Sequence, residues 1–564
     1  MEKGILKISQ NKKVSFLKTF KLFLVKLLLI SSFAYASSGF HGVASRHHIA
    51  TDIGLKVLKD GGNAIDAAVA VGFALSVVNP SAGNLGGGGF MLIHLSEKNE
   101  TIAIDYRERA PIQSSEKMFQ DQDGNVINGL SLNSTLASGV PGTVSGMFYV
   151  SEKFGIKNIK SLIKPSIEIA KKGFVLSKFQ ASNLNKYKEK FLKNPEAKEI
   201  FTRPEGFAEG DILIQKNLAN TLSRIAKNGK EEFYLGETAK KISSFYKKNK
   251  GILNFEDLKQ YELRVLKPVC GNYRVYRICS MPPPSSGGIA LIQMLNILEN
   301  LDIDKFQHNS EKYLMNLISA MDYAFFDRAK YLGDPDFFNV PQELLISKQY
   351  AKDISTKIKN KEELHKINIT VSESEETTHF SIVDKWGNAV SNTYTLNTAY
   401  GSGIVPTGTG ILMNNEMDDF SSKPGYPNVY GLIGSEANKI EPKKTPLSSM
   451  TPVIVFKEDR PFLVTGSPGG STIITSVLQE LLNVLDFNMS LSESSKKSKI
   501  HFQHLPDIVF YEKLDDETLK SLKTKKRMLQ RKLGEIHSIL VDENYIEAFS
   551  DNRRPDGKAS TIQN

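Results

Sequence analysis

Cysteine is nearly absent from this chain of 564 residues: only Cys270 and Cys279 occur. One pair with no histidine nearby excludes a zinc-type site and a disulfide-dense scaffold. A hairpin turning near Arg274-Val275 would set the two opposite each other. A disulfide is one reading of them, and two buried free thiols the other. Internal repeats and low-complexity tracts are also missing, and no apolar run approaches the roughly 20 residues of a spanning helix. The glycine run Gly86–Gly89 lacks the lysine-serine/threonine ending of a phosphate loop and leads into a strand, so it reads as structural. At 40% hydrophobic and 24% charged residues, the chain has material for a packed interior and no disordered signature. Its length exceeds a typical compact domain unless two large layers share one core.

The formal net charge is +10, but seven lysines and one glutamate in the first 36 residues account for six of those charges. The remaining +4 is an ordinary solubility charge and leaves no electrostatic footprint for nucleic acid. The same segment carries an apolar run, Leu27–Phe33, closing on Ala34-Tyr35-Ala36. Small residues at Ala34 and Ala36 fit a signal-peptidase site and predict a mature start at Ser37. Residues 1–36 are therefore expected to be a signal peptide, the mature protein to be periplasmic or secreted, and no stable membrane insertion to follow its removal.

Residues Ala50–Val78 read as helix with a break at Gly61-Gly62, followed by strands at Phe90–Leu95 and Thr101–Tyr106. Residues 144–260 read as largely helical and lysine-rich. Tyr273–Met281 reads as a strand, Ile289–Leu301 as a helix, and Lys513–Gly534 as a charged surface helix. Glu362–Glu376 is a polar, acidic connector without an apolar face. Composition changes at Thr377. His379–Asp384 alternates at period two, a turn follows at Lys385–Asn388, and a second strand spans Ala389–Leu396.

The junction Glu376-Thr377-Thr378-His379 is where chemistry is expected. A hydroxyl there can attack the preceding carbonyl, move the chain onto an ester, and release it by hydrolysis. The new N-terminal threonine carries an α-amine of pKa about 7.7–8.0, suited to act as base for its own hydroxyl. Two β-branched residues opening a strand are the bland alternative. Spacing does not choose between Thr377 and Thr378.

Several segments together resemble the γ-glutamyltransferase family. They are Thr377–Asp384, Gly387–Val390, Thr393–Asn397, Met413–Phe420, Pro446–Met450 and Thr465–Gly470. Gly61–Ala68, Asp105–Glu108, Gly139–Gly142 and the triple proline Pro282–Pro284 belong to the set, and the matches run in family order from about residue 41 to 505. The resemblance implies an α/β fold, the four-layer αββα sandwich of N-terminal-nucleophile hydrolases. It also implies autocleavage between Glu376 and Thr377, giving a large fragment, 37–376, and a small one, 377–564. Thr377 is then the nucleophile, Thr395 orients it, and Gly469-Gly470 form an oxyanion hole. Arg107, Ser448 and Ser449 hold the donor's α-carboxylate; Asn397, Glu416 and Asp419 hold its α-ammonium. Tyr430 sits on a lid loop within Pro424–Gly434. The family carries glutamine or glutamate at the position of Glu416.

Charge reasoning agrees with these roles. A γ-glutamyl group presents a carboxylate, which arginine holds bidentately, and an ammonium, which suits paired carboxylates. Glycine lets backbone N–H groups approach a tetrahedral oxygen. The expected substrates are glutathione, glutamine and related γ-glutamyl compounds, with water, amino acids or peptides as acceptors; no metal or cofactor is expected. Two alternatives are a glutaryl- or cephalosporin-type acylase of the same architecture and a non-catalytic periplasmic binder. The departures are Ser495–Ile500 and the altered tail Ser550–Arg554, which leave fragment packing there open.

Overall fold

A computed structural model describes residues 39–362, 364 and 376–563. The expected signal segment and most of the acidic connector lie outside the described residues; Glu376 and Thr377 lie within them.

Two antiparallel sheets form the centre. The first has seven strands in the order Lys558–Gln563, Phe40–Ser45, Thr378–Val383, Ala389–Thr395, Gly88–Leu95, Glu100–Asp105 and Arg264–Leu266. The second has six, in the order Ile546–Ser550, His537–Val541, Arg460–Thr465, Val453–Lys457, Tyr276–Ser280 and Val269–Tyr273. Side chains alternate across each strand, so each sheet has two faces to bury. On one face of the first sheet, Val43, Met91, Ile93, Phe380 and Ile382 pack against helices such as Ala64–Val78. On its other face, Ala44, Phe90, Leu92 and Val383 share a core with Val453, Val455 and Leu463 of the second sheet and with helices Gly287–Asn300, Glu311–Tyr331 and Thr472–Leu485. The order of layers is helix, sheet, sheet, helix, the expected sandwich. Polar threads cross between the sheets: Ser391 Oγ donates to Thr465 O at 2.9 Å and Ser381 Oγ to His537 O at 2.8 Å.

The helix Ala64–Val78 is buried along its whole length, which its small residues permit. Asn63 and Asp66 close a reciprocal capping box at its start, and Asp384 accepts from Ala64 N at 2.8 Å. This contact ties the helix to the turn that closes the hairpin beginning at Thr378.

The glycine run has the structural role expected of it. A Cβ at Gly87 would stand 2.1 Å from Thr395 O, and one at Gly89 2.4 Å from Tyr394 Cβ. Only bare backbone lets the strand Gly88–Leu95 lie this close to the strand carrying Thr395.

Residues 269–280 form two strands turning at Arg274, and Cys270 pairs in register with Cys279 as a disulfide, which removes the free-thiol alternative. The charged helix expected over Lys513–Gly534 is shorter, spanning Asp516–Lys523. After Leu522 no apolar residue follows until Met528, and Met528–Gln530 instead adds a strand parallel to Val509–Tyr511.

Candidate active site

Thr378 pairs with Tyr394 in the central hairpin, and that register continues to place Thr377 opposite Thr395. Thr377 is buried, and the chain runs unbroken through it from Glu376. Thr377 Oγ1 donates to Glu376 O at 2.6 Å and lies 3.4 Å from Thr395 Oγ1. Thr395 Oγ1 is 3.3 Å from the same carbonyl oxygen while accepting from Asn397 N at 2.9 Å. Two hydroxyls therefore converge on the carbonyl of the Glu376–Thr377 bond.

The other side of that bond is held by ion pairs. Arg46 donates to Thr377 O at 2.9 Å and reaches a Glu376 carboxylate oxygen at 3.4 Å. Arg554 donates to both Glu376 carboxylate oxygens, at 2.8 and 2.9 Å. Glu535 bridges the two guanidiniums, 3.5 Å from Arg46 and 2.6 Å from Arg554. Burial pushes the Glu535 carboxyl up to about 7, with Arg46 opposing the shift. Sequence reading singled out Glu376 but missed its partners: Arg46 is 330 positions from it and Arg554 178. The nearest signal was the Arg553-Arg554 pair in the tail.

His379 is also close in sequence, but both its ring nitrogens are engaged away from Thr377. Its ring is buried between Thr393 Oγ1 at 2.8 Å and Ser381 Oγ at 3.0 Å. Burial, reinforced by His537, drives its pKa well below the usual value.

Beside Thr377 lies a polar pocket lined by Arg107, Arg328, Asn397, Asp419, Ser448 and Ser449, with Tyr430 and Gly470 at its rim. Arg107 pairs with Glu416 at 2.8 Å and Asp419 at 2.5 Å. Burial alone would lower this guanidinium, but Glu416, Asp419 and Glu108 together raise it, so it stays charged. The carboxyls respond in kind. Burial raises Glu416 well above its usual value and Glu108 to about 8, against the pull of Arg107. The groups expected to take a ligand's carboxylate and ammonium are thus paired with each other in this structure. Binding a zwitterion would exchange those pairs for two new ones.

Asn397, at φ 75°, is set by its Nδ2 donating to Asn415 O at 3.0 Å. Ser448 Oγ accepts from Met450 N at 3.1 Å, and Ser449 Oγ accepts from Arg328 at 3.3 Å. Arg328, which sequence reading did not single out, is a second buried guanidinium and also donates to Ser286 Oγ at 3.0 Å. Burial lowers its pKa to about 10; Asp419 opposes that shift and Arg107 adds to it.

Gly469 and Gly470 lie at the start of the helix Thr472–Leu485 with φ of 129° and 57°. Side chains at these φ values would be strained, and a Cβ on Gly470 would stand 2.4 Å from the Tyr430 ring. Among the described residues neither N–H donates to a protein acceptor. Both sit at the positive end of a helix dipole.

Tyr430 lines the pocket. Its hydroxyl donates to Asn397 O at 2.8 Å. Asp418 and Asp419 tether the same loop, accepting from Val429 N at 2.9 Å and from Asn428 Nδ2 at 3.1 Å. The enclosed space is about 20 Å³, room for about one water. Of the residues predicted from sequence, Arg107, Thr377, Thr395, Asn397, Asp419, Tyr430, Ser448, Ser449 and Gly470 line this pocket, Glu416 pairs with Arg107, and Glu376 and Gly469 line the neighbouring cavity.

The family model described as gamma-glutamyltranspeptidase matches residues 50–561. The chain is 48% identical over 509 residues to a glutathione hydrolase proenzyme from Escherichia coli, covering 88% of each. Among solved structures, it resembles the Helicobacter pylori γ-glutamyltranspeptidase at 47% identity and a TM-score of 0.55, covering 56% of this chain and 90% of that one. It also resembles a cephalosporin acylase from Bacillus halodurans at 24% identity and a TM-score of 0.79, over 92% and 95% of the two chains. The last is a likeness of fold alone.

Proposed function

The chain belongs to the γ-glutamyltranspeptidase family, and on that premise we propose a γ-glutamyl hydrolase and transferase that matures by cutting itself between Glu376 and Thr377. The observation that carries this reading is the Thr377 hydroxyl, 2.6 Å from Glu376 O beside Thr395 and the Arg107 pocket.

In the uncut chain, Thr377 Oγ1 attacks the Glu376 carbonyl carbon. The C–N bond breaks, the acyl group passes to oxygen, and water hydrolyses the ester. The fragments 37–376 and 377–564 remain associated, and Thr377 now carries a free α-amine. In turnover this amine takes the hydroxyl proton as Oγ1 attacks the γ-carbonyl of the donor. The N–H groups of Gly469 and Gly470 receive the oxyanion, and the departing amine takes the proton from the threonine ammonium. Water or an amine then resolves the γ-glutamyl ester.

In this reading Arg107, Ser448 and Ser449 hold the donor's carboxylate, while Asn397, Glu416 and Asp419 hold its ammonium. Tyr430 shuts the pocket over both. Glutathione and glutamine fit as donors; amino acids and peptides fit as acceptors. The segment 1–36 directs export to the periplasm or beyond the cell, and among the described residues no helix is long and apolar enough to cross a membrane.

A glutaryl acylase is disfavoured because its substrate lacks the ammonium that Asn397, Glu416 and Asp419 would bind. A non-catalytic binder would have no use for converging hydroxyls at a peptide bond. Purified protein should run as two bands on a denaturing gel, the smaller beginning Thr-Thr-His, and should release p-nitroaniline from γ-glutamyl-p-nitroanilide. A single band that turns nothing over would overturn the reading.

A further inference from the structure

Two openings flank the Gly469-Gly470 turn. Gly470 and Thr377 line the Arg107 pocket, which takes the donor's acyl part. Gly469, Pro468, Glu376, Glu535, Arg554 and Tyr187 line a separate cavity of about 410 Å³ on the other side. Its size falls within the roughly 300–1,000 Å³ that small ligands occupy. A γ-glutamyl donor has two halves, and the acyl half fills the first opening. The amine half, and any amine that replaces it, therefore faces the second.

Glu376, Glu535 and Arg554 line that cavity, and Arg46, which lines a small neighbouring pocket together with Arg554, pairs with Glu376 and Glu535 from that side. Arg46 is buried, so its charge needs an anion close by. In the uncut chain the Glu376 side chain supplies one, bonded to both guanidiniums. Self-cleavage cuts the backbone immediately after Glu376. That carboxylate is then tethered from one side only, while Arg46 and Arg554 remain next to the new N-terminus.

We infer that Glu376 is a placeholder: in the cut enzyme the Arg46–Arg554 pair becomes the seat for the carboxylate of the leaving or accepting dipeptide. This rests on the proposed γ-glutamyl transfer and names the part of the substrate that reading leaves unassigned. The acceptor enters with its carboxylate against the two guanidiniums and its amine toward the ester. Its nitrogen attacks the ester carbonyl, the new C–N bond forms, and the bond to Thr377 Oγ1 breaks. The proton lost by nitrogen passes through the threonine amine to Oγ1, so no other reactant is required. Glu535 keeps the two guanidiniums together while the anion between them changes.

The test uses the purified cut enzyme with γ-glutamyl-p-nitroanilide as donor and two acceptors, glycylglycine and glycylglycinamide. The acid should show an acceptor KM at least about ten-fold below that of the amide, the size expected of a charge-assisted contact. Arg554→Gln should bring the two values within about two-fold. Equal KM values in the wild type, or a preference that survives in Arg554→Gln, would overturn the seat. Should that variant stay uncut, the wild-type comparison decides by itself. Release of p-nitroaniline without acceptor reports the parent reading: if it is absent both fall, and if it is present without acid preference only the seat falls.

Discussion

Thr377 Oγ1 and Thr395 Oγ1 lie 3.4 Å apart, both within hydrogen-bonding reach of the Glu376 carbonyl oxygen. Two hydroxyls therefore meet on the bond that the proposed self-cleavage breaks first. In the proposed mechanism the same pair then serves turnover.

Thr377→Ala should leave the chain as one uncut band with no γ-glutamyl-p-nitroanilide hydrolysis. Thr377→Ser keeps a hydroxyl and should still cut, more slowly. A gel time course with sequencing of the small fragment checks both; cutting in Thr377→Ala would assign the nucleophile elsewhere, Thr378 first.

Thr395→Ala removes the oxygen that accepts from Asn397 N, leaving a buried donor unpaired. Such a group costs about 1–3 kcal/mol; if that cost falls on the barrier, self-cleavage should be roughly 5- to 150-fold slower. Thr395→Ser should recover most of the rate, whereas a purely steric role for the methyl group would leave the serine variant as slow as alanine.

Arg107→Lys keeps one charge but loses the two-pronged grip on a carboxylate. Donor KM should rise by roughly 10- to 100-fold with a smaller change in kcat. Wild-type enzyme should also prefer γ-glutamyl-p-nitroanilide over its glutaryl counterpart. A preference for glutaryl would remove the ammonium roles of Asn397, Glu416 and Asp419.

The pH dependence follows from Glu416. Burial, with Glu108 and Asp419 nearby, holds its carboxyl above the usual glutamate value against Arg107. The group is neutral at low pH, and its attraction for an ammonium grows as pH rises and it ionises. Donor KM should therefore fall as pH rises above the ordinary glutamate range, and this slope should flatten in Glu416→Gln. The stability sign is opposite. A raised carboxyl disfavours the folded state increasingly above its unfolded value, so Glu416→Gln should gain thermal stability over wild type as pH rises.

Tyr430→Phe deletes the hydrogen bond to Asn397 O. One such bond is worth about 1 kcal/mol, so donor KM should rise by about five-fold while the rate of ester formation at saturation changes little. Stopped-flow release of p-nitroaniline separates the two.

Much of this was legible in the chain, for identifiable reasons. Alternation in 379–396 announced the hairpin, and family motifs marked Arg107, Glu416 and Gly469 because each stands in a short local segment. The choice between Thr377 and Thr378 needed either the resemblance or the register that sets Thr377 opposite Thr395. Arg46, Glu535 and Arg554 were invisible because they meet only after two sheets and the C-terminal strand have assembled: Arg46 lies 331 positions from Thr377. The overlong helix at Lys513–Gly534 failed for a similar reason. Strand pairing, a tertiary event, claimed Met528–Gln530 from a segment whose composition favoured helix.

The strand Phe40–Ser45 lies between Lys558–Gln563 and Thr378–Val383, so the proposed cut before Thr377 would leave one piece threaded between two strands of the other. That arrangement gives the molecule a memory of having once been continuous. An intact chain assembles these strands at an effective concentration set by its own length, whereas the two pieces, if ever unfolded, must find each other in free solution. The mature protein should then survive through slow unfolding rather than ready refolding. Denaturant should erase its activity for good at dilutions from which the uncut Thr377→Ala chain still recovers its fold.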